Sequence, residues 1–234
     1  MAPPLHLTQV RAVARRLQAA PLLLSMVGLL QAGVALSAES LILDDEGGRF
    51  PLGLHLEILE DPQGVWTIDD VDSPPLRERF VASDREIPNL GLTHSVYWLR
   101  FHLSNATSVP RSWLLEIDWP LFDLIDFYYR QDSGEWAVRR AGERVPSSQW
   151  ELPYRNPMFR VPLSRGESRT YYVRFEGEDT MLFPLTLWSA EAFERSRTRS
   201  SAWLSLYYGI LIGLIAYHLL LFLLLRDRDC PAPC

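Results

Sequence analysis

The run at residues 203–225, WLSLYYGILIGLIAYHLLLFLLL, holds 23 residues without one Asp, Glu, Lys or Arg. As a helix it extends about 35 Å, enough to cross the hydrocarbon of a bilayer with some tilt. Trp203, Tyr207 and Tyr208 suit the aromatic belt at one interface, and Arg226 and Arg228 close the other end. A membrane helix is therefore expected over 203–225. His218 lies inside it; a neutral imidazole facing another helix is the simpler reading, with a functional role as the alternative.

A second apolar stretch, residues 22–36, has a different meaning. It is short, follows Arg11, Arg15 and Arg16, and ends in the small residues Ala35, Ser37 and Ala38. That pattern predicts a secretory signal over 1–38, cut after Ala35 or after Ser37. An uncleaved anchor helix is the alternative, and either way the residues that follow are exported. Arg195, Arg197 and Arg199 precede the membrane run and oppose the positive-inside preference, but long translocated domains largely escape that rule. The expected arrangement is a single-pass protein of a bacterial inner membrane. Residues 39–190 form a periplasmic domain, 191–202 a helical or extended connector, and 226–234 a short cytoplasmic tail.

The exported part carries 27 acidic residues against 18 arginines from Glu39 to Ser200, a net charge of −9. Nucleic acid needs basic stripes, so such a partner is excluded. The chain has no lysine, and its two cysteines, Cys230 and Cys234, sit in the last five residues, so no disulfide is expected within the exported domain.

Within that domain the pattern has period two, broken by turn residues, which predicts strands. In SVYWLRFHL, residues 95–103, Tyr97, Leu99, Phe101 and Leu103 share one face and Trp98, Arg100 and His102 the other. Further strands are expected over 52–59, 113–117, 124–130, 135–140, 158–163, 170–175 and 184–188. Gln131-Asp132-Ser133-Gly134 reads as a hairpin turn, and Thr67-Ile68-Asp69-Asp70 as a capping box opening a short helix that Pro74-Pro75 ends. About eight strands at this spacing predict a mainly β fold, a jelly-roll β-sandwich.

Several short motifs, in order, carry a family resemblance. Tyr97-Trp98-Leu99-Arg100-Phe101 with Asn105, Leu115-Glu116 to Pro120, Gly142-Glu143-Arg144-Val145-Pro146, and Arg155 with Pro157 and Phe159 resemble one bacterial sensor domain. Tyr208-Gly209 through Tyr217-His218 to Arg226-Asp227 resembles the first membrane helix that follows it. The chain is similar over residues 41–229 to the seven-transmembrane receptors with diverse intracellular signalling modules, in their second type of extracellular domain. The resemblance implies a periplasmic jelly-roll binding carbohydrate or another small ligand, six further membrane helices, and a diguanylate cyclase or histidine kinase output. Here only the first helix is present, so a receptor fragment without its output is expected, and no enzyme. The rival expectation is a membrane-tethered carbohydrate-binding or envelope-interaction module.

Trp98, Arg100, Trp119 and Arg155 are the candidate ligand-binding residues. Sugars stack their C–H faces on aromatic rings, and arginine donates paired hydrogen bonds to oxygens. The alternatives are core packing for Trp98, a turn anchor for Trp119 and a loop salt bridge for Arg155. Glu116, Asp118, Asp123 and Asp126 would suit glycoside hydrolysis, which needs two flanking acids, but an acidic surface produces such pairs by chance. His55, His94 and His102 show no metal-ligand spacing, and no phosphate-cradling glycine loop occurs, so no metal or cofactor is expected. The expected partners are a small-molecule or carbohydrate ligand and membrane lipid; self-association into a homo-oligomer is left open.

Overall fold

The computed structural model of the protein describes residues 38–225, with side chains at all of these but 199–204. Residues 1–37 of the proposed signal segment, and the tail bearing Cys230 and Cys234, fall outside the described residues.

The long strand β6, Val96–Asn105, organises the fold. Its odd residues Tyr97, Leu99, Phe101 and Leu103 point into the main core, as the alternation of the sequence demands. On one side it pairs antiparallel with β11, Ser168–Glu176. On the other it pairs with β3, Glu57–Asp61, along its first half, and with β1, Leu41–Leu43, in parallel near its end. β4, Val81–Ala82, lies beyond β3, while β8, Leu124–Arg130, and β9, Trp136–Ala141, extend the sheet past β11. A second sheet has the order β10-β7-β13-β2, from Met158–Val161, Trp113–Ile117, Leu185–Ser189 and Arg49–Pro51. A small pair joins β5, Asn89–Leu92, to β12, Thr180–Leu182.

The main core lies between the two larger sheets. Phe101, Tyr171, Phe127 and Phe159 stack across it, the last two with ring centroids 5.3 Å apart. Each buried side chain of this size adds about 2 kcal/mol of apolar burial. The chain is thus a mainly β sandwich, as its periodicity predicts.

A second, smaller core covers the outer face of the large sheet. Here Trp98, Tyr172 and Val96 pack beneath helix α1, Ile68–Val71, and the 3-10 turn Leu76–Arg79, with Ile68, Val71, Leu59 and Phe80. β6 is therefore buried on both faces over Val96–Leu99, which explains its continuous apolar run. The capping box holds: the Thr67 amide donates to Asp70 Oδ2 at 2.8 Å, and the Asp70 amide to Thr67 Oγ1 at 3.4 Å. The hairpin turn also forms, with Gly134 N–H donating to Gln131 O at 2.9 Å.

One expectation changes. The strand expected over 52–59 starts only at Glu57, because Gly53–His55 forms a 3-10 turn. Of the two forms expected for the connector the helical one occurs: it and the apolar run are one continuous helix, α2, Ala190–Leu225, which follows β13 with no intervening loop. Buried Ser189 starts it: its Oγ accepts from the Ala192 amide at 3.2 Å. Phe193 then packs edge-on against Tyr154 and Trp188, which fixes the helix root to the head. The stretch Ser205–Leu225 is long and apolar enough to cross a membrane, and the head covers none of it.

Candidate functional site

The outer face of the large sheet is only partly covered by α1 and its following turn. Beside that cover lies a groove of about 670 Å³, bordered by β3, β6, β11, the turn at Gly53–His55 and the Pro74 loop. Its floor is an ion pair. Arg100 Nε donates to Glu57 Oε2 at 2.6 Å, and both side chains are largely buried. Glu57 and Arg100 are direct neighbours in the β3–β6 register, so sheet pairing alone sets them opposite one another. Arg100 is locked further: Nη1 donates to Arg77 O at 3.1 Å, and the guanidinium lies over Phe80, 4.3 Å from the ring centre.

Around this floor stand groups with spare hydrogen-bonding capacity. His102 Nδ1 meets Thr170 Oγ1 at 2.9 Å, and His55 Nδ1 meets Glu39 O at 2.9 Å. Among the described residues each imidazole thus has its Nδ1 engaged and its other nitrogen left over. Ser40 Oγ is buried with no partner among the described residues, and Arg77 and Glu78 complete the rim. The lining mixes donors, acceptors and both signs of charge. Such a set can fix the orientation of a small polar molecule. Next to the groove, the Tyr172 hydroxyl donates to Asp72 Oδ1 at 2.7 Å. Burial, then the bond and charge of Asp72, push its pKa up to about 12.

The four residues singled out from the sequence are not brought together. Arg100 lies in the groove. Trp98, two residues before it on the same face, is wholly buried under α1 and packs at a tilt against Tyr128, ring centroids 5.6 Å apart, so its ring offers no free face. Trp119 and Arg155 lie in loops beside the other sheet, just after β7 and just before β10. Trp119 is half-buried against the main core, while Arg155 is exposed and rests on Tyr154. The carboxylates considered for hydrolysis are tied to structure: Asn156 Nδ2 donates to Glu116 at 2.9 Å and to Asp118 at 2.7 Å, and Trp188 Nε1 to Glu116 at 2.8 Å. Asp126 takes Arg140 Nε at 2.9 Å, and Asp123 takes Arg144 at 2.6 Å.

Sequence reasoning missed Glu57, Ser40 and Thr170. One signal was present: Glu57 is the acidic residue inside the apolar run LHLEIL, where an unpaired charge would be costly. Its partner stands 43 residues later, so no spacing rule could join them. Among the described residues, no cluster of His, Cys, Asp and Glu could hold a metal ion.

A family model described as 7TMR-DISM extracellular 2 matches residues 53–189, from the turn before β3 to the end of β13. The chain belongs to this family. The match covers both larger sheets apart from β1 and β2, and it stops where α2 begins. No curated protein matches the chain. The protein thus joins a sensory-type domain of the 7TMR-DISM extracellular family to one helix long and apolar enough to cross a membrane. Glu57, Arg100, His102 and Thr170 all fall within the matched residues of this 7TMR-DISM domain, whereas Ser40 precedes them.

Proposed function

We propose that residues 39–190 are the periplasmic ligand-sensing head of a bacterial inner-membrane receptor, and that the groove over Arg100 takes a carbohydrate or another small polar molecule. Family membership supports the receptor part of this reading. The ligand part is carried by one observation. The Arg100–Glu57 pair is held rigid in the floor, and the spare groups of His55, His102, Ser40 and Thr170 surround it. Hydroxyl-rich ligands need such alternating donors and acceptors. Among the described residues the groove's lining includes no tryptophan, so recognition there works through hydrogen bonds rather than ring stacking.

Because β13 runs straight into α2, a rearrangement of the head would reach the membrane helix without a flexible joint. A ligand drives such a change only if it binds the two states unequally. Titrating the full chain in detergent with neutral mono- and oligosaccharides and with small organic acids, followed by tryptophan fluorescence, tests the site. A saturable response should weaken about tenfold in Thr170→Val or His102→Gln, the size of one lost hydrogen bond to a bound ligand. Arg155→Ala should leave it unchanged. Saturable binding that ignores the groove variants removes the groove from the reading. A reporter enzyme fused at position 190 should be active only in the periplasm.

A further inference from the structure

We propose that export processing cuts the chain between Ser37 and Ala38, and that the α-ammonium group created at Ala38 is then held by Glu57, so that the mature N-terminus becomes part of the groove. Two independent observations meet at this bond. In the sequence, a cut there puts Ala35 and Ser37 at the two positions where small residues are required. In the fold, Ala38 N lies 3.0 Å from Glu57 Oε1, and Ala38 lines the groove. A cut after Ala35 meets the first criterion as well, but it would leave Leu36 and Ser37 ahead of Ala38 and keep that nitrogen a neutral amide.

The step is a hydrolysis. The Ser37–Ala38 C–N bond breaks, water supplies the hydroxyl that makes Ser37 a carboxylic acid, and the remaining proton goes to the Ala38 nitrogen. The amine so released has an ordinary pKa of about 8 and is protonated at neutral pH. Glu57 is 7 % exposed, and its other oxygen already takes Arg100. The amide–carboxylate bond at Oε1 thus becomes an ion pair in a partly desolvated place, where charge-assisted bonds are strongest. The charged and titratable groups around the groove are Glu57 on β3, Arg100 and His102 on β6, His55 on its turn, Arg77 and Glu78 on the turn after Pro74, and Glu39 next in the chain. Both signs of charge line the groove, and Glu57 is the group in direct contact with the Ala38 nitrogen.

The inference rests on the proposed export of the domain. The composition makes it unusually testable: the chain contains no lysine, so the α-amine is the one amine that an acylating reagent can modify in the mature protein. The full chain, purified from membranes, should begin at Ala38 by intact mass and N-terminal sequencing. Its amine should be acylated about tenfold more slowly in the native protein than in denaturant, the effect of a neighbouring carboxylate on the fraction of free amine. Inserting one serine between Ser37 and Ala38 moves the ammonium outward and leaves Glu57 and Arg100 intact. That variant should regain the fast rate, as should Glu57→Gln if it folds. A first residue other than Ala38 in periplasmic protein, or equal acylation rates in native and denatured chains, overturns the processing proposal while leaving the receptor reading standing. A chain whose position 190 faces the cytoplasm overturns both.

Discussion

Glu57 and Arg100 show how a charged pair can be both a structural tie and a binding floor. Neither side chain is well hydrated, so removing Arg100 takes a charged partner from a carboxylate that water reaches poorly. Arg100→Ala should therefore destabilise the head by about 2 kcal/mol, measurable by urea unfolding. Tyr172 makes a separate prediction. Its pKa is raised to about 12 in the fold, chiefly by burial. A raised pKa means that its neutral form is favoured in the folded state. That stability is present in full below the unfolded value of about 10, and it is lost as the pH climbs through the folded value. In Tyr172→Phe the loss of stability between pH 10 and pH 12 should be shallower. Melting temperatures across that range would check this, undisturbed by lysine titration because the chain has none.

The junction of β13 with α2 is the element that turns a sandwich into a stalked head. Ser189 caps the helix, Ala190 N–H donates to Ser112 O at 2.9 Å, and Phe193 sits between Tyr154 and Trp188. Truncating Phe193 to alanine removes the apolar grip of the head on the first turn. Trypsin should then cut after Arg195 and Arg197 several-fold faster, since proteolysis follows local opening. A second element with no slack is the chain reversal after β9. Gly142 has φ +118°, and a Cβ there would stand 2.6 Å from Asp123 O, inside any tolerable contact. Gly142→Ala should cost about 2 kcal/mol or more, seen as a lower urea midpoint with an unchanged slope.

At the scale of the molecule, the head and the apolar length of α2 are stabilised by different physics. The head depends on apolar burial between its sheets, whereas Ser205–Leu225 makes no buried contact with it and satisfies its backbone internally. In detergent the two should come apart on heating. Near-ultraviolet circular dichroism of the head's aromatics should collapse, while the 222 nm helical signal of α2 persists above the transition. Phe101→Ala, which empties the centre of the main core, should lower the first transition by about 3–4 kcal/mol and leave the second signal untouched.

Periodicity alone determined that this chain is a β-rich head ahead of a helix able to cross a membrane. Alternation in residues 95–103, the turn at Gln131–Gly134 and the capping box at Thr67 are local patterns, and local geometry obeys them. Motif order carried the family as well, because Tyr97 to Phe101 and its companions lie at set distances along the chain. The site did not follow in the same way. Trp98 and Arg100 share a face in the sequence, but only the fold brings α1 over Trp98 and leaves Arg100 at a groove. Glu57 meets Arg100 through strand pairing across 43 residues, and Ala38 reaches Glu57 across 19. Contacts of that range are chosen by how whole sheets and their covers pack, and no window along the sequence contains the surfaces that compete to cover a residue.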